Sequence, residues 1–306
     1  MNQRLCTSVL GISVTMLAAA CGGSQSSAPT TPTTTSVTTP SASLKVAAQK
    51  VSDTPEPADT DGKIKWAIAG AQRTDKEKAR DQYRHPLETL EFFGLKDDMT
   101  VVELWPGGGW YTEILAPVLH DKGKLVVTTF DISKGGEAAE NEKAYDAKLA
   151  GAPAIYGNVQ KQQIAPPENL VLGPDGSADM VLTFRNYHGW IGGKYADKVI
   201  AAAFKVLKPG GVLGIEEHRA NAGDTKNKPS DTGYVEEAFI IEAVQMQGFK
   251  LDSKSEINAN PKDTKDYAKG VWALPPSYRN GETDKAKYEA IGESDRMTLK
   301  FVKPAK

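Results

Sequence analysis

The chain has 306 residues, 40% hydrophobic and 25% charged, with Gly 28 and Pro 18, which excludes a collagen-like or wholly disordered chain and leaves enough apolar material for a sizeable core. Lys and Arg number 37 against 39 Asp and Glu, a formal net charge of −2, so nucleic acid is not an expected partner. The charge is unevenly spread: no charged side chain occurs between Arg4 and Lys45.

That uncharged run has two chemically different halves. Residues 8–20, SVLGISVTMLAAA, are apolar and follow Arg4; the stretch is short for a permanent membrane helix and fits a secretory signal. Ser24 to Ser41 holds 15 Ser, Thr or Pro among 18 residues, too little apolar surface to offset the entropy of ordering, so a flexible spacer is expected. Between the halves, Ala18-Ala19-Ala20-Cys21-Gly22-Gly23 resembles a bacterial lipoprotein signal. The resemblance implies that Cys21 is lipidated and becomes the new N-terminus, and that the protein is exported to the cell envelope, faces the periplasm and meets the membrane through this lipid anchor. The same alanines also form an A-x-A cleavage site, so an ordinary cleaved signal is the alternative. The two cysteines, Cys6 and Cys21, both fall in this region, which leaves the folded part with no disulfide and no cysteine-based metal site. The expected organisation is a signal at 1–20, the lipidated cysteine and tether at 21–61, and one domain at 62–306.

From Thr100 onward apolar runs alternate with amphipathic stretches. Val101 to Leu104 is a β-branched run followed by Pro106-Gly107-Gly108-Gly109. In Trp110 to Leu119 the residues Tyr111, Ile114, Leu115, Val118 and Leu119 share one helical face, and Pro117 is expected to kink or shorten that helix. Further strands are expected at Lys124 to Phe130, near Ala154 to Tyr156, at Met180 to Phe184, at Val212 to Glu216 and at Phe249 to Leu251. Helices are expected at Tyr195 to Leu207 and Tyr234 to Gln247, the second capped by Gly248. Met297, Leu299 and Phe301 alternate with Thr298, Lys300 and Val302 in a final strand. Alternating strands and helices predict an α/β fold: a doubly wound, mainly parallel Rossmann-like sheet with helices on both faces and an antiparallel C-terminal strand. The connection from Ser253 to Asp295 is long and rich in Trp, Tyr and Pro, which predicts a lid or side wall of a pocket.

The glycine turn lies where such a sheet binds a nucleotide, after the first strand, and glycine lets the backbone approach a ligand closely. Asp131 follows Gly109 by 22 residues at the end of the next strand, the position from which a carboxylate accepts ribose hydroxyls. Glu103-Leu104-Trp105-Pro106-Gly107-Gly108-Gly109, Ala178-Asp179-Met180-Val181-Leu182 and Leu207-Lys208-Pro209-Gly210-Gly211 together resemble the class I S-adenosylmethionine-dependent methyltransferases. More narrowly, WPGGGWYTEILAP, FRNYHGW, EEHRA and GESDRMTLKF look like a group of bacterial predicted methyltransferases. The resemblance implies S-adenosylmethionine as cofactor: Glu103 orients the methionine amino group through the turn, Gly107 and Gly109 admit the backbone to the cofactor, Asp131 takes the ribose, and Asn158 lies near the adenine. Trp105 stands where the family has a glycine. That substitution favours the alternative of a non-catalytic ligand-binding or structural envelope module with the same fold.

His188 and His218 fall at the carboxyl ends of neighbouring strands and are candidates for deprotonating a small-molecule acceptor. Arg185 or Arg219 is suited to an acidic substrate group; the bland alternative is that these side chains tie loops together. No H-x-H or H-x-x-x-H spacing supports a metal site from His188, Glu217 and His218, so no metal is expected.

Overall fold

Seven short strands pair into one sheet: β1 (Thr100–Leu104), β2 (Lys124–Thr129), β3 (Gln160–Gln163), β4 (Ala178–Phe184), β5 (Leu207–His218), β6 (Lys250–Ser255) and β7 (Arg296–Val302), in the order β3-β2-β1-β4-β5-β7-β6. The first five are parallel neighbours, and β7 runs antiparallel between β5 and β6. This is the doubly wound architecture expected from the alternation of strands and helices. The computed structural model describes residues 50–130, 132–224 and 228–305. The expected signal at 1–20, Cys21, the Ser/Thr/Pro-rich run at 24–41 and Asp131 all lie outside the described residues. Among the described residues, no helix is long and apolar enough to cross a membrane.

The two-residue period of the strands sorts the core into two layers. Val101, Met180, Leu182 and Phe184 pack with the helices Thr60–Ala69, Pro86–Phe93 and Thr112–Leu119. Val102, Leu104, Val181, Leu213, Ile215 and Leu299 pack with the helices Ala196–Val206 and Glu237–Met246. Because Glu103 shares its face with Val101, its carboxyl is carried to the first layer, beneath the helix that starts at Thr112.

Three local expectations differ from the structure. Pro117 sits inside the helix Thr112–Leu119 without ending it. Proline leaves the Glu113 carbonyl without its usual N–H partner; the Gln72 side-chain amide donates to that oxygen at 2.9 Å and to the Ala67 carbonyl at 2.7 Å. The segment Ala154 to Tyr156 is not a strand but part of the short helix Pro153–Tyr156, whose Ile155 and Tyr156 are buried. The strand comes later, as the polar edge Gln160–Gln163; an edge strand packs little and so carries a weak apolar signal. The packed chain also begins before the boundary expected at residue 62. Val51 is buried in the first layer and accepts from the Ala71 N–H at 2.7 Å, while the Trp66 indole donates to the Thr54 carbonyl at 3.2 Å.

Candidate functional site

The loops leaving the carboxyl ends of β1, β4 and β5 border a cavity of about 390 Å³. Trp105 to Gly108, Phe184 to Asn186, His188 and His218 line it. The long connection supplies Val271, Trp272, Pro275, Pro276 and Ser277, so it is the side wall that its composition predicts. The N-terminal segment adds Glu77, Arg80 and Arg84.

The glycine turn meets this cavity with bare backbone. Gly107 has φ +58°, a left-handed conformation that a side chain adopts at a cost, and nothing lies within 4 Å of where its Cβ would be. Gly108 is equally open. Gly109, with φ +82°, serves packing instead. A Cβ there would stand 2.8 Å from the Tyr145 ring, so this glycine lets the turn close against the helix Gly136–Gly151 and does not itself line the cavity. Trp105 keeps the torsion a glycine would have, φ +48°, with its N–H on Thr128 Oγ1 at 2.8 Å. Its indole packs against Phe130, Trp190 and Tyr195 with centroids 5.5, 5.0 and 6.4 Å away.

Glu103 is buried below the turn and does not line the cavity. Its carboxylate accepts from Thr112 Oγ1 at 2.6 Å, and burial is the main cause that pushes its pKa up to about 7. Asn158 is not brought to the site: it precedes β3, and its amide donates to the His120 carbonyl at 3.1 Å. Arg219 is likewise outside the cavity. Its guanidinium is engaged by three carboxylates, Asp295 at 2.9 Å, Glu256 at 2.7 Å and Glu237 at 3.3 Å, which corrects its assignment from a substrate-binding arginine to a clasp between β5, the helix Glu237–Met246 and the long connection.

His188 and His218 do meet, their ring centroids 5.6 Å apart. His188 Nδ1 lies 3.1 Å from Glu217 Oε1. An ionised carboxylate only accepts, so Nδ1 carries the proton and Nε2 is the basic nitrogen. Burial disfavours the charged ring, yet the adjacent Glu217 charge outweighs it and holds the His188 pKa above its ordinary value. His218 shows the opposite balance. Burial, reinforced by repulsion from His188 and Arg185, drives its pKa well down, and its Nδ1 lies 2.5 Å from Ser294 Oγ. One donor atom each from His188, Glu217 and His218 fall within 4.8 Å of one another, a grouping that spacing along the chain does not announce because it joins two strands. The Glu217 oxygens are already accepting from the His188 ring, from the His188 N–H at 3.2 Å and from the His218 N–H at 2.8 Å, so this carboxylate orients the rings.

Beside the imidazoles is a buried ionic cluster. Glu216 is fully buried and accepts from Arg185 at 2.8 Å, Arg296 at 3.1 Å and the Tyr111 hydroxyl at 3.1 Å. Burial alone would raise its pKa, but Arg185, Arg296 and Arg84 hold it below the usual carboxylate range. Glu293 pairs with Arg80 at 2.5 Å, Arg84 at 3.1 Å and Arg296 at 3.2 Å. Asn186 stitches the strand ends together, donating to the Leu104 carbonyl and to Thr183 Oγ1, both at 3.1 Å. Sequence reasoning missed Arg80, Arg84, Glu216, Glu293 and Asn186 as site residues. The one available signal was Glu216-Glu217 in an otherwise apolar strand, since buried carboxylates require partners.

Residues 102–215 match the family model described as a methyltransferase domain; this stretch contains most of β1, all of β2 to β4, the first part of β5, the glycine turn and His188. Among curated proteins nothing matches. Among solved structures, a SAM-dependent methyltransferase from Aquifex aeolicus is similar at 19% identity, covering 76% of this chain and 100% of its own, with a TM-score of 0.49. The [4+2]-cyclase SpnF is similar at 16% identity, over 72% of this chain and 79% of its own, at 0.48. Phosphoethanolamine N-methyltransferase 2 of Haemonchus contortus, solved in complex with S-adenosyl-L-methionine, is similar at 18% identity over 80% and 56% of the two chains, at 0.45.

Proposed function

We propose that the methyltransferase domain matched by residues 102–215 makes this chain an S-adenosylmethionine-dependent methyltransferase for a small-molecule acceptor. The observation that carries the reading is the bare Gly107-Gly108 backbone opening into the cavity at the carboxyl end of β1, a cradle that any Cβ would partly fill. When bound, S-adenosylmethionine supplies a methyl group made electrophilic by its sulfonium.

The chain's own residues divide the work in three. Gly107 and Gly108 admit the cofactor, and Glu103, acting through Thr112, holds the turn and the start of its helix together. His188 Nε2, oriented by Glu217 at Nδ1, removes the proton of the acceptor. Trp272, whose ring is 5.8 Å from His188, shields that proton transfer from water together with Pro275 and Pro276.

Titration calorimetry of the full chain with S-adenosylmethionine and S-adenosylhomocysteine is expected to give micromolar binding of both. Absence of heat and of any thermal shift at millimolar ligand would sink the reading. A second reading, a ligand-binding module without catalysis, draws on Trp105, which lines the cavity where the family has glycine. Binding of both ligands with no S-adenosylhomocysteine formed over a panel of acceptors would favour it.

The reading extends to location: an exported envelope protein held to the membrane through a lipid on Cys21, supported by the uncharged run from Arg4 to Lys45. Growth with labelled palmitate is expected to mark the wild-type chain and leave Cys21→Ser unlabelled. Equal labelling of the two, or none of either, counts against the anchor.

A further inference from the structure

Four guanidiniums, from Arg80, Arg84, Arg185 and Arg296, surround two carboxylates, Glu216 and Glu293. The cluster therefore has two positive charges in excess, and three of its arginines, Arg80, Arg84 and Arg185, line the cavity. Arg84 is the informative member. It is only 4% exposed, its guanidinium lies over the Trp110 ring at 4.6 Å, and its Nη1 is a buried donor with no hydrogen-bond partner among the described residues. An unmatched buried donor on a charged group is costly unless something accepts from it.

The other charged side chains of the lining, Glu77 and Lys148, are of opposite sign and each has a local partner. Glu77 Oε2 accepts from the Thr74 N–H at 3.1 Å in a capping box, and Lys148 pairs with Glu113 and donates to the Gly108 carbonyl at 2.6 Å. Neutral donors complete the lining, with Ser277, Ser294 and Asn186 around the arginines. Burial is the main cause that depresses the Arg84 pKa well below its ordinary value, and Arg185 adds the largest repulsion. The cofactor makes the imbalance larger, because its sulfonium and ammonium outnumber its one carboxylate.

We propose that the methyl acceptor is an anion whose carboxylate or phosphate group is received by Arg84 and Arg80, with Arg185 closing the cationic wall. The inference rests on the methyl-transfer reading and narrows its substrate class. Planar guanidiniums suit both oxyanions, since each offers paired N–H donors to two oxygens. Neutralising the excess charge is then part of assembling the ternary complex: cofactor without acceptor leaves the cluster cationic, and the acceptor's anion balances it beside the imidazoles.

The test uses the full chain saturated with S-adenosylhomocysteine and titrated with inorganic phosphate, succinate and the neutral analogue succinamide. Phosphate or succinate is expected to bind and succinamide not to. Arg84→Gln is expected to weaken anion binding by at least about tenfold, the effect of losing one charged hydrogen bond, while S-adenosylhomocysteine affinity changes less than about threefold. Arg80→Gln, at a half-buried position, repeats the test if Arg84→Gln does not fold by circular dichroism, and a smaller loss in the same direction is expected. No anion binding to the saturated protein overturns the inference. So does competition between the anions and S-adenosylhomocysteine, which would assign the arginines to the cofactor's own carboxylate. If S-adenosylhomocysteine itself fails to bind while phosphate binds through Arg84, the anion site stands and the methyl-transfer reading falls.

Discussion

Glu216→Gln is expected to destabilise the protein by about 3–5 kcal/mol, the typical cost of removing one partner from a buried ionic group. The amide keeps the shape of the carboxyl and can still accept from Tyr111, but it leaves Arg185 and Arg296 facing each other with no charge between them. Glu293 cannot replace the lost carboxylate, because it already serves Arg80, Arg84 and Arg296. For a domain of this size the loss corresponds to a fall in Tm of about 10 °C. A melt followed by circular dichroism at pH 7 checks it, with Lys143→Ala as control. That lysine pairs with Glu140 on the surface, both side chains more than half exposed, and its removal is expected to leave the melt unchanged. A fall of less than about 1 kcal/mol for Glu216→Gln would mean that both guanidiniums reach water or another anion, contrary to the burial of Arg296, whose side chain is 1% exposed.

The largest effect on activity is expected at His188. Loss of a positioned general base costs about 10²- to 10⁴-fold in rate, so His188→Ala is expected to reduce turnover within that range while S-adenosylhomocysteine binding persists. The pH profile carries the sign. The base works only when neutral, so activity falls as pH drops through the His188 pKa, which Glu217 holds above the ordinary value of 6.5. In Glu217→Gln the charge that opposes burial is gone, and the acid limb is expected to move to lower pH. His218 does not set this limb, because burial keeps it neutral well below that range. An unmoved limb in Glu217→Gln would remove the His188–Glu217 pair from the chemistry, even if overall activity had dropped.

Much of the fold could be read along the chain because its signals are local. The strands at β1, β2, β4 and β7 show as apolar or alternating runs, Gly248 marks a helix end with φ +98°, and His188 and His218 follow from their positions at strand ends. The hidden parts depend on partners distant in sequence. Pro117 reads as a kink or an early end of its helix, and nothing near it in sequence announces that Gln72 donates to the Glu113 carbonyl it leaves without an N–H partner. Arg219 reads as a substrate ligand until Asp295 and Glu256 are seen to occupy it. Arg84 shows nothing in sequence, since its significance lies in an unpaired nitrogen and in Glu293, a residue more than two hundred positions away.

The place of β7 bears on how the molecule is made. It is an interior strand, yet it emerges during synthesis after both its neighbours, β5 and β6. Until Arg296–Val302 inserts, β5 presents an open edge and β6 has no strand to pair with, a state prone to pairing with other chains. The same insertion brings Arg296 to Glu216 and follows directly on Glu293 and Ser294. Pairing of β7 thus joins two tasks in one segment: it closes the sheet between β5 and β6 and it sets Arg296 on Glu216, beside the cavity that Glu293 and Ser294 line.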